Sequence, residues 1–326
     1  MSWKSLNPSG AGRRRPTTRS RRRFVQTVAT AGAGAVAGAS AFPSPAEHPL
    51  LATLGLQLHT VREPLATRPQ QTVEAIQQAG YRQVELSDAR LLPRLQPVFR
   101  GLGIDIRSAH FPSPLLTGNW EPLLATGQSS PSADDTFEKV VAQAAQYGLE
   151  YLVFPFVFPQ DRGDLDTYRT LADKLNQAGE VCRQAGIQLV YHHHAFEFQP
   201  MEATTPFQVL LEHTDPALMH LEIDVFWASV AGLDPAQFIL EQGQRNRLVP
   251  LLHLMDKKPG LAPAFRDATL PPDAFLPVGD GELDFPKIIR AAEAVGVKYC
   301  FVKQDVSPDP LADIARSSEH LKNLFH

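Results

Sequence analysis

The stretch "TYRTLADKLNQAGEVCRQAGIQLVYHHHAFEF", residues 167–198, decides the architecture. Residues 167–186 carry helical periodicity and end at Gly186, a residue suited to the position just past a helix C-terminus. The apolar run "IQLVYHH" (187–193) follows at once, strand-like in length, and runs into three consecutive histidines. A helix that delivers the chain directly into an apolar strand is half of a βα repeat.

Outward from this unit the pattern recurs. Strand-like runs are "LGLQLH" (54–59), "RQVELS" (82–87), "IDIRSAH" (104–110), "LEYLVFP" (149–155), "LMHLEID" (218–224), "LVPLLHLM" (248–255) and "KYCFVKQ" (298–304). Between them lie helical segments such as "TRPQQTVEAIQQAG", "DPAQFILEQ" and "FPKIIRAAEAVG", the second with Asp234 as N-cap and Pro235 at the first helical position. Eight alternating units close most simply into a (β/α)₈ barrel over residues 53–326. An open doubly wound sheet is the alternative, but no G-x-G-x-x-G follows the first strand. Proline- and glycine-rich loops, 111–130 and 256–281, fall where a barrel carries its catalytic loops, with Trp120 and Phe275 placed either to cover a ligand or to pack on the rim.

The chain of 326 residues, 43% hydrophobic and 20% charged, has the apolar content of an ordinary globular protein. Its first 41 residues differ: "SRRRFVQ" (20–26) resembles the twin-arginine export consensus, and Ala39-Ser40-Ala41 supplies a small-residue cleavage site. Residues 42–52 then read as a proline-rich linker. An uncleaved membrane anchor is the alternative, although Val25–Ala41 is short and weakly apolar against the about 20 residues of a spanning helix. Without Lys4 and the seven arginines of this segment, 23 of the 31 basic residues remain against 35 acidic ones, a formal charge of −12. Such a body does not attract a phosphate backbone, so nucleic acid is not an expected partner, and the translocase is expected only during export to the periplasm or beyond. Cys182 and Cys300 lack metal-site spacing and read as free core thiols.

Polar residues gather at the C-terminal ends of the strands, where a barrel builds its site: His59, Glu85, His110, His192 with His194, Asp224, His253, and Lys303 with Gln304. Strand alternation puts His192 and His194 on one face and His193 on the other. With His192 facing the axis, Asp224, Glu222 and His220 share an inward face, and His253 joins them from the seventh strand. His192, Asp224 and His253 then offer two imidazoles and a carboxylate to one point, a set suited to a divalent ion such as Mn²⁺, Zn²⁺, Mg²⁺ or Fe²⁺. His194 and His110 are the candidate bases; Glu85, Arg62, Glu197 and Trp227 are the candidate substrate contacts. Neither a G-x-S-x-G elbow nor a P-loop is present, and "VGDGELDF" (278–285) reads as a turn entering a helix.

With these residues in place, positions 54–325 resemble the sugar phosphate isomerase/epimerase family, the xylose isomerase-like TIM barrels that include inosose dehydratases and ketose epimerases. "LGLQLHTVRE" is similar to the opening strand, "YHHHAFEF" to "YHNHDFEF", "IDVFWASVAGLDP" to "LDVYWVVRGGKDP", and "VGDGELDFPKII" to the penultimate motif. The resemblance implies a metal held by His192, Asp224, His253 and a carboxylate on the eighth strand. There the chain departs, reading "VKQD" for "VEQD", so Lys303 stands at the fourth ligand position; Met255 likewise replaces a lysine in "HLMD".

An ammonium does not ligate a metal unless deprotonated, which leaves three outcomes: a three-ligand metal site, Lys303 as the electrophile in place of the metal, or a non-catalytic periplasmic carbohydrate-binding barrel. The resemblance implies proton abstraction next to the carbonyl of a free sugar or keto-sugar, by an exported isomerase or epimerase, with a keto-sugar or inosose lyase as the alternative. DNA repair nucleases share the barrel but need more metal ligands than this chain offers.

Overall fold

The computed structural model describes residues 48–127, 135–266 and 269–325. The expected export segment and residues 42–47 of the expected linker lie outside them. Of the linker, Pro49–Ala52 forms a short helix whose Leu50 and Leu51 are buried.

The eight expected strands are present and shorter than their apolar runs. They are β1 (Gly55–Gln57), β2 (Gln83–Leu86), β3 (Asp105–His110), β4 (Tyr151–Phe154), β5 (Gln188–His192), β6 (Met219–Asp224), β7 (Leu251–Leu254) and, after the antiparallel pair β8 (Asp256–Lys257) and β9 (Phe275–Leu276), β10 (Tyr299–Val302). In the order β1-β10-β7-β6-β5-β4-β3-β2 they close a parallel barrel with helices alternating around it, a (β/α)₈ fold. The missing ends belong to turns. His59 stands in the one-turn helix Leu58–Val61, and Lys303 follows the last residue of β10, because the chain leaves the ladder to build the mouth.

Register sets the interior in layers. Val190 pairs with His220, His192 with Glu222, Glu222 with Leu251, Asp224 with His253, and His253 with Phe301. Val153, Val190, Leu251 and Phe301 form the apolar layer, with Tyr151 and Tyr299 below. Gly55 is required there: a Cβ would meet the Phe301 ring and come within 2.8 Å of Gln83 Cγ. Its missing side chain lets one phenylalanine fill the axis.

The 278–284 turn wraps a buried carboxylate, as Asp256 Oδ2 accepts from Gly279 N (3.0 Å) and Gly281 N (2.9 Å), and Oδ1 from Leu283 N (3.1 Å). Asp284 then caps the helix Phe285–Val295. Both cysteines are buried free thiols, and burial pushes each up to about 12. Among the described residues no helix is long and apolar enough to cross a membrane.

Candidate active site

The layer above Val190, Leu251 and Phe301 is polar throughout and almost wholly buried. His192, Glu222, Asp224, His253 and Glu85 are at most 1% exposed, Lys303 5% and His110 7%. Two groups of donors, sharing His253, each lie within 4.8 Å of one another: Glu85, His110, Glu222 and His253 below, and His192, Asp224 and His253 above.

In the upper group Asp224 Oδ2 is the hub. Lys303 Nζ donates to it at 3.1 Å, His192 Nε2 lies 3.4 Å away and His253 Nδ1 3.6 Å. Asp224 Oδ1 caps the helix Val225–Val230 by accepting from Phe226 N and Trp227 N, so the carboxylate cannot turn. Burial opposes its ionisation, yet the Lys303 ammonium and the His192 contact hold it well below the usual carboxylate range. Lys303 also donates to Asp305 Oδ2 at 2.9 Å. Desolvation would lower its pKa, but Asp224 and Asp305 outweigh that and raise it, so it stays an ammonium.

The histidines divide by environment. Burial pushes His192 down to about 4 and His193 to about 3, and lowers His194 well below its ordinary value with help from His192 and Lys303, so these three are neutral at pH 7. His193 packs among Phe198, Phe207 and Phe238, away from the axis. His194 stands 4.6 Å from the His192 ring and 5.3 Å from Trp227, with Phe156 against its edge. His110 and His253 run the other way: burial lowers both, but Glu85 and Glu222 beside them more than compensate and raise them.

Of the candidate substrate contacts, Trp227 alone joins the wall of the mouth, packed with Phe226, Phe275 and Met255, 5.9 Å from Lys303 Nζ, its buried Nε1 without a protein partner. Glu85 lies in the lower group. Glu197 is fully buried behind His194, accepting from His194 N (2.9 Å) and Tyr191 Oη (3.0 Å), and burial pushes it up to about 8. Arg62 Nη1 donates to His59 O at 2.8 Å. Gln304 turns outward to Phe275 O and Val306 O. Phe275 stacks on Phe226 and Trp120 lies beneath Arg90, so both loop aromatics pack onto protein.

Three residues were not singled out by sequence reasoning. Gln57 Nε2 lies 3.3 Å from His110 Nδ1, Ser108 Oγ donates to Glu85 Oε2 at 2.5 Å, and Asp305 holds Lys303. Two-residue alternation back from His110 and His59 and onward from Lys303 is the signal that marks all three. A cavity of about 510 Å³ lies elsewhere, between Val157–Asp164 and the helix Leu165–Gln184, but it reaches none of these side chains and contains no imidazole; the chemistry favours the barrel mouth.

Residues 73–324 match the family described as xylose isomerase-like TIM barrel. The inosose dehydratase of Geobacillus kaustophilus is 32% identical over 170 residues, 49% of this chain and 53% of that protein. The chain thus spans about half the length of the curated relatives it matches. A sugar phosphate isomerase/epimerase from Parabacteroides distasonis superposes with a TM-score of 0.64 at 21% identity, covering 82% of this chain and 93% of that one. The IOLI protein with a binding zinc atom superposes with a TM-score of 0.59 at 13% identity, over 84% and 99% of the two chains. Both likenesses are of fold.

Proposed function

The chain belongs to the xylose isomerase-like TIM barrel family, and from that membership and the site geometry we propose that it is an enzyme removing a proton next to the carbonyl of a free sugar or keto-sugar. The observation that carries the reading is a permanent ammonium, Lys303, fixed by Asp224 and Asp305 within a wall of neutral imidazoles and one tryptophan. Proton abstraction puts negative charge on the carbonyl oxygen, and a fixed cation in a buried site stabilises that charge without reorganising. His194, neutral and with a free Nδ1, takes the proton, while His110 lies one layer deeper, held between Glu85 and Glu222. Trp227 Nε1 donates to a substrate hydroxyl, and its ring covers an apolar sugar face.

A divalent ion at the mouth would rest on His192, Asp224 and His253, and would polarise the carbonyl when bound. The donors fit in kind: both His192 nitrogens and His253 Nδ1 are buried without hydrogen-bond partners. The zinc of the IOLI protein supports an ion in this fold. Lys303 is the misfit, since it already occupies Asp224 Oδ2.

A second reading, a keto-sugar or inosose lyase, is favoured by the asymmetry of the site. The resemblance to ketose epimerases implies paired carboxylates working on opposite faces, and here His192 and Lys303 stand at those two positions, so one base acting beside one cation suits elimination better than epimerisation. The likeness to inosose dehydratase supports it. We also propose export by the twin-arginine route, on the "SRRRFVQ" stretch, which favours unphosphorylated substrates.

The test is solvent exchange: in deuterated water the protein is expected to exchange the proton next to the carbonyl of a keto-sugar or inosose, followed by proton NMR. His194→Gln abolishes the exchange. Sugar binding with neither exchange nor turnover across free ketoses, keto-sugars and inososes would replace the enzyme by a carbohydrate-binding barrel.

A further inference from the structure

The polar layer divides by charge into its upper and lower groups. In the upper group the carboxylate of Asp224 is matched by the Lys303 ammonium. In the lower group Glu85 and Glu222, both without exposure, have no lysine or arginine within ion-pair distance among the described residues; their partners are His110 and His253. Two buried negative charges thus depend on two imidazoles that are neutral in their ordinary state.

Hydrogen bonding alone does not satisfy this group. His253 Nε2 lies 2.7 Å from Glu85 Oε1 and 3.2 Å from Glu222 Oε1, while His110 Nε2 lies 3.0 Å from Glu85 Oε1 and 3.4 Å from Glu222 Oε2. Each nitrogen has at most one proton for two oxygens. The His253 bond goes to Glu85, and Glu222 Oε1, buried and aimed into the group, is left with no donor. By contrast, donors around one ion at about 2.0–2.2 Å lie roughly 3.0–3.5 Å apart, close to the separations here. One doubly charged ion also cancels both carboxylates while the imidazoles stay neutral.

We infer that Glu85, His110, Glu222 and His253 bind a divalent transition-metal ion of the zinc class, one layer below the mouth and sharing only His253 with the His192–Asp224–His253 group. Two oxygens and two nitrogens suit Zn²⁺, and four protein ligands make a closed site that ties β2, β3, β6 and β7 together across the barrel. Ligation through His253 Nε2 leaves its proton on Nδ1, facing Asp224 Oδ2, the carboxylate–histidine–metal arrangement that orients a ligand ring. Ligation through His110 Nε2 moves that proton to Nδ1, so Gln57 Nε2 gives up its contact there while the Gln57 amide oxygen keeps accepting from His59 N. A second ion in the upper group would have to share Asp224 with Lys303; the lower group has no such competitor.

Zn²⁺ alone is the probe, added to the full chain after stripping with a chelator and followed by calorimetry, with zinc-edge anomalous diffraction from the loaded wild type. One tightly bound ion is expected, its anomalous peak among the four residues. Glu222→Gln and Glu85→Gln each weaken it at least about tenfold, whereas His192→Ala leaves it in place. A peak between His192 and Asp224, loss of the ion in His192→Ala with retention in Glu222→Gln, or no stoichiometric binding would overturn the inference. If the glutamine variants do not fold, the wild-type peak decides. Absent proton exchange with the ion in place would count against the proposed reaction and not against this site.

Discussion

Below the middle of the barrel, Val190, Leu251 and Phe301 fill the interior with hydrocarbon and no hydrogen-bonding side chain. Two residues further along the same chain segments stand His192, His253 and Lys303, in a layer where nearly every side chain is ionisable. One alternation builds both, yet they are held differently: the lower half by shape, where neighbours adjust to a lost methylene, and the upper half by pairing, where removing one partner strands a charge. A barrel can therefore vary its lower layer within limits of volume, while each substitution in its upper layer requires a matching one. Lys303 is such a case, because Asp224 and Asp305 flank it on both sides.

The largest expected effect comes from breaking the pairing. Lys303→Met keeps much of the volume and removes the charge, leaving the Asp224 carboxylate buried beside the neutral His192. Urea unfolding at pH 7 is expected to show a loss of about 3–5 kcal/mol. Turnover or proton exchange falls by a factor on the order of a hundred or more, as for loss of an oxyanion-stabilising group. Unchanged stability would mean that Asp224 is neutralised by something other than Lys303, and the contrast between the halves would fail.

Breaking shape in the lower half costs less. Gly55→Val drives two methyl groups at the Phe301 ring, and about 1–3 kcal/mol of destabilisation is expected by the same measurement. Because the strain is one of volume, Phe301→Leu added to Gly55→Val should recover most of it, and zinc affinity in the folded double variant should stay near wild type. No comparable neutral change restores Lys303→Met short of replacing its carboxylate partners too.

This division also governs what could be read from the sequence. Strand positions and the inward set His192, Asp224, Glu222 and His253 followed from periodicity, because alternation is local. Lys303 stood out through its place in "VKQD", and the structure brings it to Asp224, 79 positions earlier in the chain. What the pattern did not carry was pairing across the barrel. Glu85 meets His253 over a separation of 168 residues, and no periodicity within β2 announces that partner. Nor did it show where strands end: Gln57, not His59, is the inward residue that reaches His110 from β1, because the ladder stops two residues early. Glu197 was legible as a polar residue after β5, but the turn Phe196–Phe198 sends it behind the barrel wall.

Glu197 sharpens the contrast from outside the interior, as a buried carboxyl held by hydrogen-bond donors, on which burial outweighs the charge of Arg162. Burial raises it from the ordinary 4.5 to about 8, so the folded protein holds a proton there that the unfolded chain has lost. The stability tied to that proton is fully present below about pH 4.5, is lost as pH rises to about 8, and is flat above. Linkage sets the slope on the order of 1 kcal/mol per pH unit for this single group. In Glu197→Gln the amide oxygen still accepts from His194 N and nothing titrates there. The buried histidines titrate alike in both proteins, so the difference isolates Glu197: the two urea midpoints should coincide near pH 5 and the wild type should fall progressively below the variant up to pH 8. A difference that does not change with pH would mean that the carboxyl is ionised in the folded state, with the charge of Arg162 holding it so.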